Sequence, residues 1–158
     1  MSNTIPSVNK ASYEQHILDL AANIIRERFI SPDAQAVDSA ENAKKYMSCK
    51  LARTDKEVFG VLFLNTQLKV IEYRDMFKGT IDSSAVHIRE VLKAALELNA
   101  SCVIVGHNHP SGDSRPSQAD IVVTRRLKDA LELMGAQLTD HIVVGRTAYS
   151  FRENHVIW

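Results

Sequence analysis

The sequence lacks the features that mark secreted, disulfide-bonded and membrane proteins. Its 158 residues include two cysteines, Cys49 and Cys102, which form no CxxC pair. A disulfide framework, a zinc ribbon and a thioredoxin-like motif are therefore excluded. Residues 1–15 lack the charged start and apolar stretch of a secretory signal. No run approaches the roughly 18 apolar residues of a membrane span. We predict a cytoplasmic protein without a membrane segment.

An excess of charge of one sign is absent as well. The 19 basic and 19 acidic residues give a formal net charge of 0. This balance does not favour a nucleic acid or an anionic membrane as a partner. The sequence still allows a local basic patch that contacts nucleic acid. It gives no indication of the oligomeric state.

No linker, internal repeat or low-complexity tract interrupts the chain, and 45% of its residues are hydrophobic, enough to bury a core. Residues 1–54 are predicted to be an N-terminal helical extension that packs on a domain formed by residues 55–158. In the extension, one helix is predicted from a capping box at Ser12 to about Arg28. A second is predicted from about Ser39 to Met47.

The domain alternates strand and helix patterns. Strands are predicted at 58–64, 68–77, 102–107, 138–144 and 148–151. The first strand is continuously apolar, as in a strand buried on both faces, and pairs with the second in an antiparallel hairpin. A helix of about 15 residues, capped by Ser83 or Ser84, leads to the third strand as a β-α-β crossover. A further helix follows Ser117. These elements predict an α/β sheet packed on both sides by helices.

Residues 107–120 contain a candidate metal site. His107 and His109 lie two positions apart after an apolar run, so both imidazoles can point to the same face of a strand. Asp120 can return from the loop as a third ligand. Two imidazoles and one carboxylate leave a fourth tetrahedral position on zinc for water. Zinc lowers the pKa of such a water toward about 7, which provides a nucleophile at neutral pH.

Each of these residues also has a simpler interpretation. An HxH pair occurs in cores and turns, and Ser117-x-x-Asp120 before an apolar helix pattern is a capping-box-like start that needs no metal. Glu57 is the candidate for a carboxylate that does not bind the metal and that takes the proton from the water. In the simpler interpretation, Glu57 ends a solvated loop. His141 is interpreted as a packing or hydrogen-bonding support of the ligands in preference to a fourth ligand.

In this order the residues resemble the JAMM (MPN-plus) metalloprotease motif. That motif has a glutamate before a hydrophobic strand, then HxHP, then a serine and an aspartate, here Glu57, His107, His109, Ser117 and Asp120. Further sequence segments resemble the bacterial RadC-type branch of this family. They lie at residues 61–67, 77–80, 89–91, 95–100, 107–113 and 140–141. The resemblance covers about residues 55–152.

The resemblance implies a cytidine-deaminase-like α/β fold, a mixed β-sheet sandwiched by helices. It implies Zn²⁺ bound by His107, His109 and Asp120, with Glu57 as general acid/base and Ser117 as a hydrogen-bond donor to the oxyanion. Metal-activated water would attack a peptide or isopeptide-type amide of an unknown peptide or protein substrate. The alternative is a DNA-repair or mobile-element-associated protein whose metal site is structural or acts on nucleic acid.

RadC-type chains usually carry an N-terminal helix-hairpin-helix-like module. Residues 1–54 are too short for this module and lack its glycine hairpin. The chain is in this respect similar to the short RadC-like proteins of prophages and mobile elements.

Overall fold

The computed structural model of the chain describes residues 10–30, 35–52, 55–79 and 87–158. Within these ranges the chain forms four helices and five strands. In chain order these are α1 (Lys10–Ile30), α2 (Ala40–Leu51), β1 (Val58–Leu64), β2 (Val70–Lys78), α3 (Ile88–Glu97), β3 (Cys102–Asn108), α4 (Gln118–Leu133), β4 (Gln137–Val144) and β5 (Ala148–Ser150).

The strands form one mixed sheet in the order β2-β1-β3-β4-β5. β1 is antiparallel to both β2 and β3, so β2 and β3 run in the same direction and α3 connects them as the predicted crossover. β3 and β4 are parallel neighbours joined by α4, and β5 returns antiparallel to β4. Every residue of β1 and β3 is buried. The predicted α/β fold is confirmed, and it is compatible with a cytidine-deaminase-like arrangement.

Helices cover both faces of the sheet. α3 and α4 pack on one face, where Leu127 belongs to the same apolar cluster as Phe63. α2 packs on the other face, where Met47 clusters with Leu62. Gly106 allows this close packing, because a Cβ at that position would lie only 3.2 Å from the sulfur of Met47. α2 is thus one of the layers that enclose β1 and β3, while the predicted domain division after residue 54 stays a prediction.

The start of α1 differs from its prediction. The helix already includes Lys10, so Ser12 lies inside it and does not form a capping box. Residues 10 and 11 are lysine and alanine, which are strong helix formers and extend the helix past the serine. Ile25 packs against the α2 side of the core, whereas Ile17 and Ile24 are exposed. None of the helices in the described ranges combines the length and the apolar character needed to cross a membrane.

The start of α3 also differs. The helix begins at Ile88, with His87 at the N-cap position and no side-chain cap, and spans 10 residues. Ser83 and Ser84, the predicted caps, lie outside the described residues. α2 begins at Ala40, beside its predicted start, because Ser39 Oγ caps it by accepting a hydrogen bond from the backbone N–H of Asn42. The helix continues to Leu51, past its predicted end at Met47.

Candidate metal centre

The paired ends of β1 and β3 carry three of the predicted site residues. The antiparallel register of the two strands pairs Phe59 with His107. Glu57 stands one residue before β1 and His109 one residue after β3, at the same end of this strand pair. Because side chains alternate along a strand, the alternation predicts that Glu57 and His109 point to the same face as Phe59 and His107.

The start of α4 adds Asp120 to these residues. Ser117 is the N-cap residue, and its Oγ accepts a hydrogen bond from the backbone N–H of Asp120 at 3.1 Å. In return, Asp120 Oδ2 accepts from the backbone N–H of Ser117 at 2.6 Å. The predicted capping box is confirmed. It turns the carboxylate back towards β3, where Asp120 Oδ1 lies 3.2 Å from His107 Nε2.

The donor atoms of His107, His109 and Asp120 converge. The two Nε2 atoms lie 2.9 Å apart, Asp120 Oδ2 lies 3.7 Å from His109 Nε2, and one donor from each residue lies within 4.8 Å of the others. Tetrahedral bonds of about 2.0–2.1 Å place two zinc ligands about 3.3 Å apart. The measured distances lie on both sides of that value. These three residues can therefore hold one metal ion.

Hydrogen bonding selects the nitrogen that His109 presents to the other ligands. His109 Nδ1 lies 2.7 Å from the backbone carbonyl oxygen of Asp113. A carbonyl oxygen can only accept, so Nδ1 carries the proton and Nε2 presents a lone pair. The Arg115 guanidinium binds both carboxylate oxygens of Asp113 and lowers the pKa of that carboxyl to about 2. This ion pair stabilises the loop that orients His109.

Asp120 is held in its charged form. Burial by itself raises the pKa of a carboxyl, but the adjacent His107 imidazole and the hydrogen bonds from Ser117 outweigh this effect and lower the pKa of Asp120 below its ordinary range. The side chains of His107 and Asp120 are 0% and 2% exposed, whereas that of His109 is 16% exposed. The site therefore contains one anionic ligand in a buried setting and opens to solvent beside His109.

Ser117 is engaged with the carboxylate of Asp120. Its Oγ donates to Asp120 Oδ2 at 2.7 Å, and a hydroxyl group has only one proton to donate. Ser117 therefore positions Asp120 in this arrangement. Donation to a substrate oxyanion requires the hydroxyl to turn away from the carboxylate, and that role stays a prediction.

His141 lies behind His107, outside the group of three. Its Nε2 is 2.8 Å from His107 Nδ1, and its Nδ1 is 2.6 Å from Thr124 Oγ1. Burial lowers the pKa of this fully buried imidazole well below its ordinary value. The predicted supporting position is observed. Thr124 was not identified from the sequence, although a threonine on the apolar face of α4 is a signal for a buried hydrogen bond.

Asn108 is a second residue that the sequence interpretation missed. It stands between the two histidines, and its side chain binds both neighbours of Glu57. Asn108 Oδ1 accepts from the N–H of Val58 at 2.7 Å, and Nδ2 donates to the carbonyl of Lys56 at 3.0 Å. The carbonyl of Glu57, which is half-buried, accepts from the N–H of Gly79 at 2.9 Å. The backbone at Glu57 is thus fixed on both sides.

Replacing Asn108 by alanine is expected to lower the free energy of unfolding by about 2 kcal/mol, because the buried N–H of Val58 and the partly buried carbonyl of Lys56 lose their partners. If Glu57 carries a proton in catalysis, the variant should also lose activity, since Glu57 is no longer held, while metal content is unchanged. Denaturant unfolding, zinc analysis and activity assays measure these effects.

Asn65→Ala is the matched control for this variant. Asn65 Oδ1 accepts from the N–H groups of Gln67 and Lys69 in the turn between β1 and β2. Its loss should destabilise the chain without affecting hydrolysis beyond the loss of folded protein. Equal specific activities of the two folded variants would contradict the positioning of Glu57 by Asn108.

Comparisons with known proteins match most of the chain. The RadC-like JAB domain matches residues 37–156, which include α2 as well as the sheet. A UPF0758 protein of Vibrio cholerae is 47% identical over 146 residues, which is 92% of this chain and 91% of that protein. A second UPF0758 protein of the same organism is 48% identical over 140 residues, 89% of this chain and 88% of its own length.

A longer relative matches over part of its length. UPF0758 protein Mmwyl1_0624 of Marinomonas sp. is 47% identical over 131 residues, which is 83% of this chain but 58% of that protein. With the domain match over residues 37–156 and close to half of the positions identical over most of its length, this chain belongs to the RadC-like JAB domain family.

Proposed function

We propose that the protein is a zinc-dependent hydrolase that cleaves a peptide or isopeptide-type amide. The observation that carries this proposal is the convergence of His107, His109 and Asp120 on one point, with both imidazole Nε2 atoms facing it. Two neutral imidazoles and a carboxylate form a donor set that suits zinc and leaves one coordination position open. The exposed edge of His109 gives a substrate access to that position.

The proposed roles of the remaining residues follow from their places around the ligands. Bound zinc supplies a water molecule of lowered pKa as the nucleophile. Glu57, at the same end of the strand pair as His109, is proposed as the general base that would take the proton from the attacking water and as the general acid that would deliver it to the nitrogen of the leaving amine. Ser117 is proposed to donate to the oxyanion that develops on the amide carbonyl. Phe59, which is fully buried and stacks beside His107, excludes water from the inner side of the site.

Metal analysis combined with a substrate panel tests the proposal. The purified protein is expected to contain about one zinc per chain and to hydrolyse members of a panel of peptide and isopeptide-linked substrates. Chelation should abolish hydrolysis, and added zinc should restore it. A folded protein that binds no zinc, or hydrolysis that survives complete metal removal, would contradict the proposal.

Nucleic acid is the comparison substrate. Single- and double-stranded DNA are tested for binding and cleavage at low salt, where phosphate contacts are strongest. A formal net charge of 0 does not provide an overall basic surface for these contacts. Zinc-dependent cleavage of DNA without cleavage of any amide would overturn the proposed reaction in favour of a nucleic-acid substrate.

A further inference from the structure

A continuous set of hydrogen bonds leads from His107 into the core of the protein. His107 Nδ1 lies 2.8 Å from His141 Nε2, and His141 Nδ1 lies 2.6 Å from Thr124 Oγ1. Thr124 Oγ1 in turn donates to the backbone carbonyl of Asp120. His107, His141 and Thr124 are each 0% exposed, so water does not compete for these bonds. We call this set the histidine–threonine chain.

The carbonyl oxygen of Asp120 determines the direction of this chain. A carbonyl can only accept, so the single hydroxyl proton of Thr124 points to it. The oxygen of Thr124 then faces His141 as an acceptor, and His141 Nδ1 must carry a proton. A buried neutral His141 therefore has its lone pair on Nε2, where it accepts the proton of His107 Nδ1. His107 Nε2 is left to face His109 and Asp120.

The opposite direction does not satisfy the same contacts. It would give the Thr124 proton to His141 and leave two oxygen acceptors, Thr124 Oγ1 and the Asp120 carbonyl, in contact without a proton between them. It would also leave the lone pair of His107 on Nδ1, on the core side, and a proton on Nε2, at the point where the donor atoms converge. A ligand nitrogen must be free of its proton to bind a metal.

We propose that Thr124 and His141 are positioning residues for the metal, which hold His107 in the tautomer whose Nε2 lone pair faces the ion. The proposal rests on the proposed function insofar as it assigns His107 as a zinc ligand. It adds that zinc affinity depends on a hydroxyl group on α4 that touches neither zinc nor a ligand side chain. The effect passes through His141.

Two matched pairs of variants separate hydrogen bonding from packing. Thr124→Val replaces the hydroxyl by a methyl of similar size, whereas Thr124→Ser retains the hydroxyl. His141→Leu removes the acceptor for His107, whereas the side chain of His141→Gln retains an oxygen acceptor for His107 and an N–H donor for Thr124. In Thr124→Val the N–H at Nδ1 of His141 loses its acceptor. Because a buried donor without a partner is unfavourable, we expect the proton of His141 to move to its Nε2 and the proton of His107 to move to its own Nε2.

Zinc affinity is measured by competition with a chromogenic chelator. Outer hydrogen-bond partners of metal ligands typically change metal affinity by about 10–100-fold. We expect a loss of this size in Thr124→Val and His141→Leu. Thr124→Ser and His141→Gln should stay within about threefold of the wild type, a change too small to reflect the loss of such a partner. Thermal unfolding of the metal-free proteins identifies any variant that is not folded.

The tautomers are measured directly on the metal-free proteins. Long-range ¹H–¹⁵N correlation spectra distinguish an imidazole protonated on Nδ1 from one protonated on Nε2. The wild type and Thr124→Ser are expected to show His107 with a proton on Nδ1. Thr124→Val is expected to show His107 protonated on Nε2 only, and a role confined to packing would not produce this change.

The outcomes distinguish the two proposals. If wild-type protein binds no zinc, the proposed function fails, and the spectra still test the direction of the chain. If the wild type binds zinc, and Thr124→Val has the same affinity and the same His107 tautomer, the positioning role is wrong. Should His141→Leu fail to fold, the comparison of Thr124→Val with Thr124→Ser decides the question.

Discussion

Replacing Glu57 by glutamine is expected to abolish hydrolysis while zinc stays bound. Glu57 immediately precedes β1, at the same end of the strand pair as His109, and does not belong to the converging group of His107, His109 and Asp120. The amide of glutamine has a similar shape but cannot take a proton from water. General acid–base catalysis contributes about 10²–10⁴-fold to rate, so activity should fall by this factor at an unchanged zinc content. Metal analysis and steady-state kinetics on the same preparation measure both quantities.

Two further variants make the result specific. His109→Ala removes a ligand and should lose zinc and activity together. Glu153→Gln alters a carboxylate that pairs with Lys44 on the surface and should change neither. If Glu57→Gln loses zinc, Glu57 acts on the metal site itself; if it retains wild-type activity, Glu57 is not the proton carrier. Either outcome would remove Glu57 from its proposed role.

Replacing Asp120 by alanine is expected to affect metal binding and stability at once. Asp120 supplies the carboxylate of the ligand group, and its Oδ2 also accepts from the N–H and the hydroxyl of Ser117. Zinc binding should therefore fall to background. The metal-free variant should lose about 1–2 kcal/mol of folding free energy, the usual value of an N-terminal cap. Calorimetric zinc titration and denaturant unfolding without metal measure the two effects separately.

Ser117→Ala is the comparison for this variant. It disrupts the same capping box and should cost a similar free energy of unfolding, but it leaves all three ligands in place and should retain zinc. If Ser117 also donates to an oxyanion, its removal should reduce activity by about 10²–10³-fold. Zinc retained by Asp120→Ala would exclude Asp120 as a required ligand. Unchanged activity of folded Ser117→Ala would limit Ser117 to positioning Asp120.

The features that could be predicted are those with a local pattern. The bounds of β1 match the predicted strand because seven consecutive apolar residues have no competing interpretation at that length. The convergence of His107, His109 and Asp120 could be predicted because a spacing of two on a strand and a capping box at a helix start each determine where a side chain points. The same type of local pattern was misleading at Ser12, where helix propensity on both sides of the serine continued the helix.

The features that could not be predicted depend on distant partners. Asn108 binds backbone groups that lie 50 and 52 positions away in the sequence, and it reaches them only because β1 and β3 pair in one particular register. Thr124 meets His141 across 17 positions, through the packing of α4 on β4. A one-residue change of register would turn these side chains to the other face of the sheet. Such contacts follow from the complete fold.

Both histidine ligands are oriented, in the end, by peptide carbonyls: that of Asp113 directly, and that of Asp120 through Thr124 and His141. A peptide oxygen is common to all amino acids, so no point mutation can delete it. A substitution at residue 113 therefore leaves in place the backbone carbonyl that orients His109. The orientation of His107, by contrast, depends on the side chains of Thr124 and His141, so substitution at either position can change the affinity for the ion.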